Sequence, residues 1–168
     1  MSRVYLFRHA KAASALPGMK DFDRPLDARG REMAGKLGGI MLANGLVPDR
    51  IVASPSARTR ETLETVMAAL PFEIDTVFDR SLYDGDDNAY LSAIIRAGDA
   101  GSIMLVGHNP MTEEAALRLC GTGEPAAMSI LQHGFPTGGL AVIELPGTLG
   151  QAKQKSGHLA LFITGGEL

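Results

Sequence analysis

Three short polar motifs each follow a short apolar run that predicts a β-strand, and their side chains suit the binding of an anion. The motifs are Phe7-Arg8-His9-Ala10, Ser54-Pro55-Ser56-Ala57-Arg58 and Gly107-His108-Asn109-Pro110. Arginine is always charged, and its planar guanidinium matches the oxygens of a phosphate. A neutral imidazole can attack phosphorus. Together the motifs predict a phosphoryl site in which a histidine is the nucleophile.

Each motif contributes a different property to such a site. Ser54 and Pro55 predict an N-cap and the first position of a helix, whose free N–H groups and partial positive charge attract anions. Arg58 lies about one turn into that helix, so its side chain can lean back toward the same end. Nearby arginines disfavour a protonated imidazole, and a second histidine can donate hydrogen bonds to the phosphoryl oxygens. Each motif is common alone, so the prediction depends on their joint occurrence.

The elements that position these motifs alternate between apolar strands and amphipathic helices. The order β-α-β-α-β-α-β-α-β-β predicts a three-layer α/β/α domain with a mainly parallel central sheet and a C-terminal antiparallel strand pair, at residues 140–145 and 159–164. Helices are expected from Asp27 to Asn44-Gly45, from Ser54 to about residue 70, and over 88–97 and 111–120. Residues 73–78 predict an edge strand and 121–139 mostly loop. Ligands bind beyond the carboxyl ends of parallel strands, where the three motifs converge.

Composition limits the classes of function. The 168 residues, 45% of them hydrophobic, predict a single domain over 1–168. The net charge of −3 shows no basic excess, so no nucleic-acid partner is expected. No secretory leader and no apolar run of membrane-spanning length is present, so a cytoplasmic protein without a membrane partner is expected. The single cysteine, Cys120, lies in an apolar run and is expected to be buried. Neither a metal nor a cofactor is indicated.

The three motifs, their order and the length of the chain resemble the histidine phosphatase (phosphoglycerate mutase-like) superfamily, most closely its short SixA-type phosphohistidine phosphatases. The resemblance covers essentially the whole chain, with Ala10 where the family pattern has glycine. It implies that His9 is the nucleophile and becomes transiently phosphorylated. It also implies that Arg8 and Arg58 bind the phosphoryl group and that His108 is the second catalytic histidine.

The resemblance also directs attention to an acidic segment, residues 81–88, because many relatives use a carboxylic acid in this region to protonate the leaving group. Asp84 is the best candidate for this proton donor. The alternative is that the aspartates form a turn and cap the next helix through Asp87 or Asn88. Arg60 is expected to face away from Arg58. The sequence leaves open whether His133 borders the pocket, and it assigns His158 no role.

The expected function is that of a phosphatase with a covalent phosphohistidine intermediate. The resemblance implies that its substrate is phosphohistidine on a signalling or phosphotransfer protein. A weak proton donor fits this substrate, because imidazole leaves more readily than an alkoxide. A broad-specificity phosphomonoesterase or mutase-like enzyme acting on a small phosphoester is an alternative. A non-catalytic phosphoanion-binding module is a second alternative, but such a module has no need of a nucleophile.

Overall fold

A seven-stranded mixed sheet forms the centre of the protein in the computed structural model, which describes residues 1–165. The strands are β1 Ser2–Arg8, β2 Arg50–Ala53, β3 Asp75–Phe78, β4 Ser102–Gly107, β5 Cys120–Gly123, β6 Leu140–Leu145 and β7 Gly157–Ile163. The helices are α1 Ala28–Ala43, α2 Ala57–Met67, α3 Ser81–Asp84, α4 Asp87–Arg96, α5 Met111–Leu119 and α6 Pro125–His133. Short 3-10 turns lie at Asp21–Asp23 and Leu149–Gln151.

The strand order is β3-β2-β4-β1-β6-β7-β5. Strands β3, β2, β4 and β1 run parallel to one another, whereas β6 is antiparallel to both β1 and β7. The predicted mainly parallel sheet with a C-terminal antiparallel pair is therefore confirmed. Arg8 at the end of β1 pairs with Gly107 at the end of β4. This register places the residues that follow, His9 and His108, side by side at one edge of the sheet.

The two faces of the sheet carry separate hydrophobic cores, which gives the predicted three layers. Alternate residues of β1 divide between them, because successive side chains of a strand point to opposite faces. Val4 and Leu6 pack with buried side chains of α4, α5 and α6. Tyr5 and Phe7 pack with buried side chains of α1 and α2. Strand β4 is buried along its whole length. No helix of the described chain is long and apolar enough to cross a membrane.

Several local predictions are confirmed. Asp27 caps α1 by accepting a hydrogen bond from the amide of Gly30 at 2.7 Å, and α1 ends before Asn44-Gly45. Cys120 is buried, and burial raises the pKa of its thiol to about 12. Residues 75–78 form the predicted edge strand.

The segment 121–139 departs from the prediction of a mostly irregular loop. It contains most of strand β5 and all of helix α6. Gly121 permits β5 to lie against its neighbour, because a Cβ there would collide with the backbone carbonyl of Lys155. Helix α6 begins at Pro125 and buries Ala127 and Leu131. The apolar face of this helix is only two turns long, and the Gly and Pro residues on either side of it favour the prediction of a loop.

Two helix starts also differ from the sequence interpretation. Helix α2 begins at Ala57 with Ser56 as its N-cap, so Ser54 and Pro55 precede the helix. Helix α4 is capped by Asp86, which accepts from the amide of Asn88 at 3.0 Å, rather than by Asp87 or Asn88. In both regions several neighbouring residues are good N-caps, and the tertiary contacts decide among them.

A buried tyrosine connects α4 to the turn that carries His108. The Tyr90 hydroxyl accepts a hydrogen bond from the backbone amide of His108 at 3.0 Å and donates to the carbonyl of Leu82 at 3.2 Å. Position 107 must be glycine for this contact, because a Cβ there would collide with the Tyr90 hydroxyl. The glycine of the Gly-His-Asn-Pro motif thus makes room for the side chain that holds the histidine in place.

Replacing Tyr90 with phenylalanine should destabilise the fold. The substitution removes one hydroxyl and leaves two buried backbone groups unpaired, which costs about 1–3 kcal/mol of unfolding free energy. Urea unfolding followed by circular dichroism measures the change. Tyr5→Phe is the matched control, because the Tyr5 hydroxyl has only a long 3.5 Å contact with Arg3. Equal unfolding midpoints for the two variants would contradict the prediction.

Candidate active site

The carboxyl ends of β1 and β4 and the first turn of α2 bring His9, His108 and Arg58 together. The Arg58 Nε–H group donates to Nε2 of His9 at 3.3 Å, and Arg58 Nη2 donates to Nδ1 of His108 at 3.2 Å. The two imidazole centroids are 5.2 Å apart. Only 9% of the Arg58 side chain is exposed. Two imidazoles and one guanidinium therefore form one largely buried cluster at the predicted sheet edge.

The hydrogen bonds of His9 determine which ring nitrogen carries the proton and which carries the lone pair. Nδ1 lies 2.7 Å from the carbonyl oxygen of Ala10. A carbonyl can only accept, so Nδ1 carries the proton and Nε2 carries the lone pair that faces Arg58. The amide of Ala10 donates to the hydroxyl of Thr62 on α2 at 3.0 Å, which fixes the backbone after the histidine. Nε2 of His9 is therefore the ring nitrogen with the lone pair, and it accepts the hydrogen bond from Arg58.

His108 has the opposite tautomer. Its Nδ1 accepts from Arg58, so Nε2 carries the proton and donates to the hydroxyl of Ser54 at 2.8 Å. Hydroxyls of Ser56 and Thr59 continue this buried network, 2.7 Å from each other. Ser54 and Ser56, which the sequence suggested mainly as helix-start residues, therefore also hold the second histidine.

The electrostatics of the site favour two neutral imidazoles. Burial is the main factor that lowers the pKa of His9 to about 4; the hydrogen bond to Ala10 opposes this change, and the charges of Arg58 and Arg8 add to it. Burial likewise lowers the pKa of His108 to about 3, with further contributions from His9 and Arg58. A proton on either ring would add a cation to a poorly hydrated, positively charged site. The imidazole of His9 is thus unprotonated near neutral pH.

Arg8 contacts the loop after α6 rather than the Ser54 network. Its Nη1 donates to the carbonyl of Phe135 at 2.8 Å, and its buried Nε has no hydrogen-bond partner among the described residues. Burial lowers the pKa of the guanidinium, while the charge of Glu113 acts in the opposite direction. Arg8 also lines a cavity of about 610 Å³, whose lining residues include neither His9 nor His108.

Sequence reasoning missed a carboxylate and a phenol that cover Arg58. Asp21, in the 3-10 turn, pairs with Arg58 at 3.1 Å and accepts from the Tyr83 hydroxyl at 2.9 Å. Burial acts to raise the pKa of Asp21, but the hydrogen bonds from Tyr83 and Arg58 outweigh it and lower the pKa. The sequence does not indicate this role for Asp21, because nothing in the local pattern shows that its turn folds over α2.

The remaining candidate residues lie outside the cluster. The Asp84 carboxylate is 57% exposed and pairs with Arg80 at 3.0 Å. Arg60 faces away from the site as expected, with its guanidinium 4.0 Å from the centroid of Phe78. His133 ends α6 and lines the cavity beside Arg8. His158 lies within β7 and contacts the hydroxyl of Thr122 at 2.8 Å.

Comparisons with known proteins agree with this geometry. The pattern of the Histidine phosphatase superfamily (branch 1) matches residues 4–83. An uncharacterised protein of Mycobacterium tuberculosis is 35% identical over 144 residues, which cover 83% of this chain and 87% of that protein. A candidate phosphohistidine phosphatase SixA from Agrobacterium tumefaciens is 36% identical, with 97% of each chain covered and a TM-score of 0.84. A protein histidine phosphatase SixA solved with tungstate shares the fold at 22% identity, with 98% of each chain covered and a TM-score of 0.76.

The chain belongs to the histidine phosphatase superfamily. Within that superfamily it is of the SixA type, as its sequence identity and fold together indicate. The family assignment and the fold support phosphatase activity.

The low pKa values of the two site histidines can be measured directly. Ring-proton NMR resonances of His9 and His108, assigned with His9→Gln and His108→Gln variants, should remain those of neutral imidazole from pH 8 down to pH 5. With a pKa of about 4, His9 is only about one-tenth protonated at pH 5. A titration midpoint near 6.5 for either ring would contradict the proposed burial and charge environment.

Proposed function

We propose that this protein hydrolyses phosphohistidine through a covalent phosphoenzyme formed on His9. Nε2 of His9 attacks phosphorus, and the bond between phosphorus and the leaving nitrogen breaks, with its electron pair passing to that nitrogen. Water then attacks the phosphorus of phosphorylated His9 and gives up a proton, which releases inorganic phosphate and restores the imidazole. The observation that carries the proposal is the unprotonated Nε2 of His9, which faces Arg58 while Nδ1 is held by Ala10.

The cationic groups are proposed to bind the transferred phosphoryl group. Arg58 already contacts Nε2 of His9, so a phosphoryl group on that atom would meet its guanidinium. Arg8 supplies a second guanidinium, with one buried N–H group available. The charge of a phosphoryl dianion raises the affinity of nearby groups for protons, so Nδ1 of His108 can take up a proton and donate it to a phosphoryl oxygen.

The need of the leaving group for a proton distinguishes phosphohistidine from simple phosphoesters as substrates. An alkoxide needs a proton as it leaves, whereas imidazole is a much better leaving group. The hydrogen bonds from Tyr83 and Arg58 stabilise the ionised form of Asp21, which makes that carboxyl a poor acid. Asp84 pairs with Arg80 at the surface. This distribution of carboxylates favours a phosphohistidine substrate, and we propose a signalling or phosphotransfer protein as its carrier.

Replacing His9 with alanine should abolish turnover of both a phosphohistidine-bearing protein and p-nitrophenyl phosphate, by at least about a thousandfold, because the covalent step is lost. Wild-type enzyme should clear the phosphohistidine much faster than the ester. Rapid quenching should trap an acid-labile, base-stable phosphoenzyme in wild type only.

His158→Ala is the matched control for this experiment, since it removes a histidine of β7 that contacts Thr122 and Glu124, outside both the cluster and the cavity beside Arg8. Full activity of His9→Ala on either substrate would exclude the mechanism. A wild-type preference for the simple ester would retain the mechanism and favour the alternative of a small-molecule phosphomonoesterase.

The assignment of Asp84 as proton donor, which comes from the family resemblance, has a separate test. Because the Asp84 carboxylate pairs with Arg80 at the surface, Asp84→Asn should change hydrolysis of O-phosphoserine by less than about twofold. A loss of about a hundredfold would instead identify Asp84 as the proton donor, because a serine alkoxide must be protonated. Hydrolysis of p-nitrophenyl phosphate should change little, because its leaving group is stable as an anion. Arg80→Gln is the control for loss of the surface ion pair. Equal small effects on both substrates would show that Asp84 donates no proton.

A further inference from the structure

A cavity of about 610 Å³ adjoins the histidine cluster at Arg8. Arg8 and Asn109, which line its inner part, directly precede His9 and follow His108 in the chain. Glu113, on the first turn of α5, also lines it. The Arg8–Glu113 cavity, as we call it, therefore begins where the proposed phosphoryl site ends. A group attached to phosphorus could extend into it.

Two buried polar atoms of the cavity have no hydrogen-bond partner among residues 1–165. One is Nε of Arg8, a donor, and the other is Oδ1 of Asn109, an acceptor. The orientation of the Asn109 amide is set by its neighbours. Its Nδ2 donates to the carbonyl of Phe135 at 3.0 Å and to the carboxylate of Glu113 at 3.3 Å, and both of these can only accept. Buried polar atoms are normally paired, so the two exceptions leave unmet hydrogen-bonding capacity in the wall of the cavity.

The lining of the cavity contains both a cation and hydrogen-bond acceptors. Arg8, which precedes His9, supplies the cation, and the carboxylate of Glu113 and the unpaired oxygen of Asn109 are the acceptors. A ligand that fits has a negative phosphoryl group at one end and an N–H group or positive charge at the other. Protonated phosphohistidine has this pattern, because one ring nitrogen bears phosphorus and the other bears a proton.

We propose that the Arg8–Glu113 cavity is the leaving-group subsite, and that Glu113 selects phosphoramidates by accepting a hydrogen bond from the protonated ring nitrogen of the substrate. This inference rests on the proposed function. With that nitrogen protonated, cleavage of the N–P bond releases a neutral imidazole, since the bonding pair stays on the second nitrogen. Glu113 accepts this hydrogen bond and transfers no proton, so it is a specificity-determining residue.

The test compares phosphohistidine with p-nitrophenyl phosphate as substrates for wild type, Glu113→Gln and Glu114→Gln. Glu114 is the matched control, because it lies next to Glu113 on the same helix and is exposed. Glu113→Gln should lower kcat/KM for phosphohistidine by about tenfold or more and change that for p-nitrophenyl phosphate by less than about twofold. Its phosphohistidine activity should also decline at a lower pH than that of wild type, because the carboxylate favours the protonated imidazole. Glu114→Gln should match wild type on both substrates.

Each other outcome has a distinct meaning. If wild type prefers phosphohistidine and Glu113→Gln lowers both activities equally, Glu113 only supports Arg8 and the subsite inference is wrong. If Glu114→Gln shows the same selective loss, the effect comes from the charge of the helix and the inference is also wrong. If wild type shows no preference for phosphohistidine while His9→Ala is inactive, the proposed substrate is wrong, and the inference falls with it.

Discussion

A buried guanidinium, that of Arg58, is the interaction on which the site depends. A charge of this kind is stable away from water only when its N–H groups are paired. Here they donate to both catalytic-site histidines and to the backbone and side chain of Asp21. The same contacts fix the tautomers of the two rings, because arginine can only donate. The position of Arg58 therefore decides which nitrogen of His9 keeps its lone pair, and which nitrogen of His108 faces the guanidinium.

The site balances positive charge without placing a carboxylate between the histidines. Asp21 neutralises Arg58 from the solvent side, with half of its own side chain exposed, and Glu113 lies near Arg8 at the other end. Between them, the imidazoles are neutral because burial and the arginines disfavour protonation. A neutral imidazole beside two cations is suited to contact with a dianionic phosphoryl group, since the dianion is attracted by the same charges that keep the ring unprotonated.

The sequence predicts the parts of this site that depend on strand ends. His9 and His108 follow apolar strands, so the parallel sheet predicts their proximity, and Arg58 follows from the helix after the second strand. Asp21 and Tyr83 could not be found in this way, because they meet through a turn and a one-turn helix that have no periodic pattern. Helix α6 was missed for a related reason: glycines and prolines on either side of it hide a short apolar face, although that helix leads to the carbonyl that holds Arg8.

The central position of β1 has a consequence for the order in which the site assembles. Its hydrogen-bonded neighbours are β4 and β6, which lie about a hundred or more residues later in the chain. During synthesis the His9 motif therefore appears before both of its flanking strands. It also lacks His108 and the Phe135 carbonyl until most of the chain has been made. Contacts of such long range form late in folding. The candidate site is therefore completed only when the whole domain has folded. In an incomplete chain, the His9 motif is exposed and lacks the residues that surround it in the folded protein.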